Sequence, residues 1–558
     1  MQVMRAGSRL LGLVTAATLV TVATSFAVSA QSADRNALKK AAAAYVDANA
    51  KLVQQIVDST FSFQEIGYHE TETQKYLTGI LRKHGFEIQN NIAGMPTAWL
   101  ATWSHGSGKP TVSLNNDEDG LPGLSQWPGV LKEDPMIVGG PGQAEGHNSG
   151  LGGMVVAALA LKEVMSKNNV SGTIQVWPGI AEEIVGGKAW YVRAGVFKDV
   201  DAVLSTHVGS ALKTEYGRTA GTGLISVVYT FNGKSVHAAG APWEGKSALA
   251  SVEMMDVGIN FMRQFFRPSS RTHNVLPFTG NQPNIVPHLA TNWYYFREVT
   301  PEWILSDYAA GNRAAQAAAD MFGTTFTHKV VGSAWPSWAN KPLAEAVYKN
   351  IQAVGLPQWS EADQAYAKGV QKLVGKPEIG LSTKLDELGT GTEHPSGGGS
   401  DDIGDVMWSV PSVRLIFPSN IPGIGGHNWA AALAGATPIA HKGSVAEGKV
   451  LAMTALDLYL DPELVAQAKK YFDEEQPKLA EKAYGADKPV VYASFLPADA
   501  APEIHINDAS MKVMRPLMQK FYYNPAKYGS YLEQLGIRYP CLTQGSTCGA
   551  PASLTPEA

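Results

Sequence analysis

Hydrophobic positions along this chain change period several times, and the changes mark its elements. From Ala37 to Lys83, Ala, Leu and Lys recur at helical spacing, with a break near Phe61–Tyr68. Thr111-Val112-Ser113-Leu114 reads as a short buried strand running into an acidic turn at Asn115–Gly123. A continuous apolar helix follows at Leu151–Met165. A strand at Thr173–Val176, a helix at Gly187–Ala194 and a strand at Ala202–Ser205 come next. Strands alternating with helices predict a mostly parallel sheet covered by helices.

The pattern then changes. Leu224–Phe231 alternates apolar and polar as a half-buried strand does, and is followed by a long helix at Ser247–Phe266. A strand at Thr291–Arg297, a helix at Pro301–Met321 and a strand at Phe326–Val331 complete a compact βαβ-type unit. From Lys341 the first pattern returns, with a Gly/Thr/Ser-rich loop at Thr390–Ser400 and a strong helix at Gly443–Leu460. Beyond Lys488 the chain is Pro-rich and irregular, with one helix near Ser510–Phe521. The expected fold is therefore α/β: a mostly parallel-sheet domain at 31–216 and 338–487, a smaller α+β domain inserted at 217–337, and a C-terminal extension at 488–558.

Length supports this division, since 558 residues exceed what one compact core accommodates. The formal charge is −5, with no basic stripe or Lys/Arg run, which disfavours nucleic acid and anionic membranes as partners. At the N-terminus, Arg5 and Arg9 precede an apolar run from Leu10 to Val28, and Val28-Ser29-Ala30 offers small residues at a cleavage position. This is a secretory leader pattern over residues 1–30, so the mature chain is expected in the periplasm or outside the cell, without stable membrane insertion. No other run looks long enough to span a bilayer. The two cysteines, Cys541 and Cys548, either close a short disulfide loop or remain free thiols.

The chemistry concentrates in Gly142-Gln143-Ala144-Glu145-Gly146-His147-Asn148, Ala181-Glu182-Glu183, Thr206-His207 and Gly425-Gly426-His427-Asn428. Each sets Glu or His among glycine and apolar residues, at the ends of strands or in glycine-bounded loops. Mixed carboxylate and imidazole donors suit Zn²⁺ or Mn²⁺. Adjacent carboxylates point in different directions, so one of Glu182 and Glu183 can ligate while the other serves as general base. Singly, each motif also reads as a solvated pair, a turn or a hydrogen-bonded histidine. Together, in consistent strand-end settings, they point to a divalent-metal hydrolase. A serine hydrolase is disfavoured because no G-x-S-x-G elbow occurs.

From about Ala37 to Phe472 the chain resembles the dinuclear metallohydrolases of metallopeptidase family twenty, which includes aminoacylases, carboxypeptidases and amidohydrolases. Within it the chain is similar to the aminobenzoyl-glutamate hydrolase branch. The resemblance is carried by Phe63–Thr73, Asp119-Gly120-Leu121-Pro122-Gly123, Gln143–Asn148 and Ala181-Glu182-Glu183. It continues through Asn284-Ile285-Val286-Pro287 with Arg297, Ser400–Val406, and Ile439–Gly443. It implies two divalent metal ions, Mn or Zn, held by Glu145, His147, Glu183, His207 and His427. It implies Glu182 as general base. It also implies His237 as an oxyanion-stabilising residue of a lid and dimerisation domain, acting across a homodimer, and Asn284 and Arg297 near a substrate carboxylate.

Two departures from the family pattern stand out. Glu145 replaces a customary Cys, which favours harder ions such as Mn²⁺ and removes an oxidisable thiol. Asn115-Asn116-Asp117-Glu118 lacks a His-x-Asp metal pair, so Asp117 and Asp119 are expected to orient the ligands. The expected activity is metal-dependent hydrolysis of an N-acyl or N-aroyl amino acid or a dipeptide. The alternative is a catalytically decayed scaffold that binds a small molecule or peptide.

Overall fold

The computed structural model describes residues 35–556 apart from Ala220, Glu393, His394, Ser396 and Gly397. The expected leader, residues 1–30, lies outside the described residues. Strands β1 (Glu87–Asn90), β2 (Trp99–His105), β3 (Thr111–Asp117), β4 (Gly172–Gly179), β5 (Ala202–Gly209) and β6 (Lys213–Arg218) begin the main sheet. After the insertion it is completed by segments given below. Helices cover its faces: residues 35–48, Ala50–Phe63 and Asn148–Asn168 in the first part, and Lys341–Val354 and Pro438–Leu460 in the second.

The inserted sheet holds β7 (Gly223–Asn232), β8 (Arg271–Phe278), β9 (Leu289–Glu298) and β10 (Thr325–Ala334), in the order β10-β7-β9-β8. All neighbours are antiparallel. Helices Ala248–Met262 and Pro301–Phe322 connect β7 to β8 and β9 to β10. Each pair of connected strands runs parallel with a third strand between, so the βαβ units read from the sequence are split ones. The hydrophobic pattern around Arg271–Phe278 predicts no strand, because most of β8 is exposed at the sheet edge. Strand β9 alternates strictly: its even-numbered residues are buried against the helices, and its odd-numbered ones face the opposite side.

Strands β11 (Trp338–Ala339), β12 (Gly389–Thr390) and β13 (Ser412–Pro418) finish the main sheet, whose order is β1-β2-β4-β3-β5-β13-β6-β11, with β12 also on β6. Its centre, β4-β3-β5-β13, is parallel, and the flanking β1-β2-β4 and β13-β6-β11 pairings are antiparallel. The α/β reading with a mostly parallel catalytic sheet and a smaller α+β lid therefore stands. The parallel strands aim their C-terminal ends at one edge, where open α/β sheets place their sites.

One expectation needs correction. Helix Asn148–Asn168 is long and apolar enough to cross a bilayer. The sequence places Gly, Ala and Leu all round it because it is buried on every side, packed against helices Ala50–Phe63 and Pro438–Leu460.

The C-terminal extension is more ordered than its composition suggests. Asp508–Met518 and Tyr531–Leu535 are helical, and Met511, Met518, Tyr531 and Leu535 enter the core beside Trp127 and Leu433. Cys541 and Cys548 are joined as a disulfide. Earlier in the extension, Tyr492 donates to Asp405 Oδ1 at 2.7 Å, while Trp335 N donates to Asp405 Oδ2 at 2.9 Å.

Burial pushes the Asp405 carboxyl up to about 7, against the opposing pull of those hydrogen bonds. A carboxyl raised in the fold above its unfolded value near ~4 stabilises the protein fully below that value. That contribution is lost as the pH rises through the folded value. Stability measured by denaturant unfolding should therefore fall between about pH 4 and pH 7, and Asp405→Asn should flatten this part of the profile. An unchanged slope would show that Asp405 does not govern it.

Candidate metal centre and active site

The predicted ligands gather at the C-terminal edge of the parallel strands, His207 near the end of β5 and the others on loops that follow β3, β4 and β13. Glu145 and His147 flank Gly146, whose φ of +102° suits glycine, and a Cβ there would stand 3.1 Å from Asn420 Oδ1. The Asn420 amide in turn donates to Glu145 O at 2.7 Å, and His427 N to Ala144 O at 3.0 Å, so the loop after β13 is bonded to the Glu145 loop. Glu182 and Glu183 begin a single helical turn after β4. It is bounded by Ala181 and Val185, both in the left-handed region at φ of +50° and +48°. A β-branched residue there is rare, and such strain persists only where surrounding contacts enforce it.

Those contacts are visible. Glu70 Oε1 accepts from Ala181 N at 2.9 Å. Asp119 accepts from Glu182 N at 3.0 Å and from Glu183 N at 3.2 Å. A Cβ on Gly67 would come within 2.9 Å of Ala181. The Phe63–Thr73 motif therefore works beneath the site: Glu65 caps helix Thr71–Lys83 by accepting from Glu72 N and Thr73 N, and Glu70 fixes the turn above. His441, in the Ile439–Gly443 motif, is bonded to Asp58 at 2.6 Å and has a structural role.

The five expected ligands come together. Glu145, His147 and Glu183 offer donor atoms all within 4.8 Å of one another, as do Asp117, His147 and His207. His427 Nε2 lies 2.9 Å from Glu145 Oε2 and 3.3 Å from Glu183 Oε2. His147 Nδ1 bonds Asp119 O at 2.9 Å and His207 Nδ1 bonds Val208 O at 2.9 Å, which leaves Nε2 of each as the nitrogen that could face a metal ion. Among the described residues, His147 Nε2 and Glu183 Oε1 are buried without a hydrogen-bond partner.

Charge points the same way. Burial pushes the Glu145 carboxyl up, but the hydrogen bond from His427 and the neighbouring His207 and His147 bring it down to about 2. Burial, then repulsion from Glu145, Asp119 and Asp117, pushes Glu183 well above the usual carboxylate range. Crowded carboxylates with orphaned donors beside imidazoles are the surroundings a divalent cation fits. Asp119 meets His147 through its carbonyl oxygen and the Glu182 and Glu183 amides through its carboxylate. Asp117 stands closer than a purely supporting residue, within ligating reach of both His147 and His207.

A cavity of about 890 Å³ opens over this cluster, lined by Glu145, Glu182, Glu183, His207 and His427 from below and by Arg297 from the lid. Glu182 is buried, and burial followed by the charge of Asp401 pushes its carboxyl well up, a state suited to proton transfer. Arg297 donates from Nε to His273 Nε2 at 3.3 Å and lies over the Tyr295 ring at 5.0 Å. His237 and Asn284 are not in this cavity. They lie together at the exposed far end of the lid, where Ala238 N bonds Asn284 O at 3.0 Å and His237 Nδ1 accepts from Ala239 N and Gly240 N. The loop after β7 and the loop before β9 carry them there, away from the metal cluster of the same chain.

Three residues near the site escape the sequence reading. Lys188, Asp401 and Arg414 join the cluster from the helix after Glu182–Glu183, from the loop before Ile403–Met407 and from β13. Lys188 follows a Gly-Gly pair just past the Glu pair, and Asp401 lies in the Ser400–Val406 motif. Neither position betrays that the two side chains meet.

No family model matches the chain. It is similar to a p-aminobenzoyl-glutamate hydrolase subunit of Escherichia coli, 28% identical over 453 residues that cover 76% of this chain and 92% of that protein. It is also similar to the Xaa-Arg dipeptidase of Mus musculus, 26% identical over 456 residues that cover 80% and 94%. Among solved structures, a putative aminohydrolase from methicillin-resistant Staphylococcus aureus superposes with a TM-score of 0.53 at 19% identity, over 75% of this chain and 99% of that one, and so shares the fold.

Replacing the Asp119 carboxylate should loosen the strained turn carrying Glu182 and Glu183. We expect Asp119→Ala to weaken Mn²⁺ binding by ~10–100-fold, measured by titration calorimetry. Wild-type affinity in a folded variant would remove Asp119 from the support of the site.

Proposed function

We propose that this chain, a relative of aminobenzoyl-glutamate hydrolase, is a metal-dependent amidohydrolase that cleaves an N-acyl or N-aroyl amino acid or a dipeptide. The observation that carries the reading is one cavity holding an imidazole–carboxylate cluster, a buried proton acceptor and a lid arginine. Glu145, His147, Glu183, His207 and His427 would hold two divalent ions. The carboxylate at 145 makes Mn²⁺ the better fit, with Zn²⁺ the other candidate. Such ions supply Lewis-acid polarisation of the scissile carbonyl and acidify water. Glu182 takes a proton from the water attacking the carbonyl carbon and returns it to the departing amine nitrogen as the C–N bond breaks. Arg297 presents a fork of donors to the carboxylate on the amine side of the substrate.

The same reading includes a homodimer formed through the lid. Strand β8 is a sheet edge, Val275 on it is 59% exposed, and Phe261 and Phe265 on the neighbouring helix and turn are 69% and 82% exposed. An apolar edge and helix face of this kind is covered by a partner in a stable protein. A second copy there brings the exposed His237 and Asn284 toward the cavity of the other protomer to stabilise the oxyanion and the substrate. The disulfide and the N-terminal leader pattern support a periplasmic or secreted location.

The reading is tested on the purified mature chain with added Mn²⁺ or Zn²⁺ and a panel of N-acyl, N-aroyl and dipeptide substrates. Glu182→Gln should keep its metal and lose ~10²–10⁴-fold in kcat. A folded wild type without metal or turnover overturns the hydrolase and leaves a binding scaffold. In light scattering, Phe261→Asp should convert dimer to monomer and abolish most turnover, since His237 then leaves the site. A wild-type monomer with full activity would refute the shared site.

A further inference from the structure

Next to the proposed metal cluster stands a second set of carboxylates. Asp117, Glu182 and Asp401 offer oxygens all within 4.8 Å of one another, a spacing that suits a cation. That cation is already supplied by the protein. Lys188 is fully buried, and its Nζ lies 2.6 Å from Asp117 Oδ1, 2.6 Å from Asp402 Oδ1 and 3.2 Å from Asp401 Oδ1.

The placement is tightly determined. Asp402 Oδ2 accepts from Gly187 N at 3.2 Å and Lys188 N at 2.8 Å, so it fixes the backbone as well as the ammonium. A Cβ at Gly179 would come 1.7 Å from Asp117 Oδ1 and 2.9 Å from Lys188 Cε, which leaves no room there for a larger residue. Burial by itself pulls a lysine toward neutrality, but the Asp117, Asp401 and Asp402 charges outweigh it and hold the ammonium well above its ordinary pKa.

The ammonium joins two parts of the site. On one side Asp117 is within ligating reach of His147 and His207. On the other, Asp401 Oδ2 lies 2.5 Å from Nη2 of Arg414, which lines the cavity. Burying an ion network costs several kcal/mol per charge, and apolar replacements are often as stable, so stability alone is a weak reason to keep it. Position is a better one.

We propose that Lys188 is a positioning residue, the built-in cation of the Asp117–Glu182–Asp401 cluster, which keeps a divalent ion out of the place beside Glu182 and ties the metal-side Asp117 to the pocket-side Arg414. The inference rests on the hydrolase reading above. It predicts what happens when the charge is removed while the bulk is kept. The vacated carboxylates become a cation site, and Arg414 loses the anchor that orients it toward substrate.

The test counts bound Mn²⁺ by electron paramagnetic resonance and metal analysis, alongside steady-state kinetics. Against a wild type with about two ions, Lys188→Met should bind one more Mn²⁺ per folded chain, and Lys188→Arg should keep the wild-type count. Adding Asp401→Asn to Lys188→Met should abolish the extra site. In the wild-type background Asp401→Asn should raise KM ~10-fold, with the metal count unchanged and kcat affected less. A merely structural lysine would lower Tm without adding an ion or splitting KM from kcat. A folded Lys188→Met with the wild-type metal count overturns the proposal. If that variant does not fold, an unchanged KM in Asp401→Asn overturns it instead. A wild type that binds neither Mn²⁺ nor Zn²⁺ and turns over no substrate defeats the hydrolase reading itself, and the two failures are thus distinguishable.

Discussion

Negative charge crowded at the C-terminal edge of the central sheet is the constraint around which this protein is built. Asp117, Asp119, Glu145, Glu182, Glu183 and Asp401 are gathered there, either buried or lining the floor of the cavity. Unpaired buried carboxylates either protonate or need a cation. The structure meets the need in three ways: imidazoles around Glu145, backbone amides around Asp119, and the Lys188 ammonium among Asp117, Asp401 and Asp402. What these leave uncompensated, at His147 Nε2 and Glu183 Oε1, faces the place where metal is proposed.

Support for that edge reaches far from it. Glu70 holds Ala181, and Glu65, a few residues earlier, caps the helix that follows Glu70. Arg515 of the C-terminal extension holds Glu65 at 2.5 Å and also donates to His69 O at 2.7 Å. The extension thereby fixes the motif that fixes the Glu182–Glu183 turn. Its earlier part lies along the lid: Trp335 donates to Ala493 O, Lys329 pairs with Glu503, and Leu496 packs in the cluster that includes Val227 and Tyr229. One segment thus bonds to both the lid and the floor of the site, and ties the inserted domain to the support beneath the Glu182–Glu183 turn.

Sequence and structure agree best where a local rule decides. The period of hydrophobic positions locates the helices at Ala50–Phe63, Pro301–Phe322 and Pro438–Leu460, the alternating β7 and β9, and the buried β3 and β5. Glycine-bounded Glu and His mark the ligand loops because backbone strain and close packing admit little else there. The edge strand β8 escapes, since an exposed strand has no buried face to imprint a pattern. Helix Asn148–Asn168 has the length and composition of a membrane span, and only its burial assigns it to the core.

By itself, then, the sequence determined the order of the elements, the two kinds of sheet and the identity of the metal-type donors, because these follow from periodicity and local backbone chemistry. Tertiary structure alone decided which distant residues share the site. Lys188 meets Asp117 and Asp401, Arg414 enters the cavity wall, and His237 and Asn284 stand outside the cavity of their own chain. Those relations depend on the crossing of strands far apart in the chain and on which face each strand turns inward, and no spacing along a single chain records them.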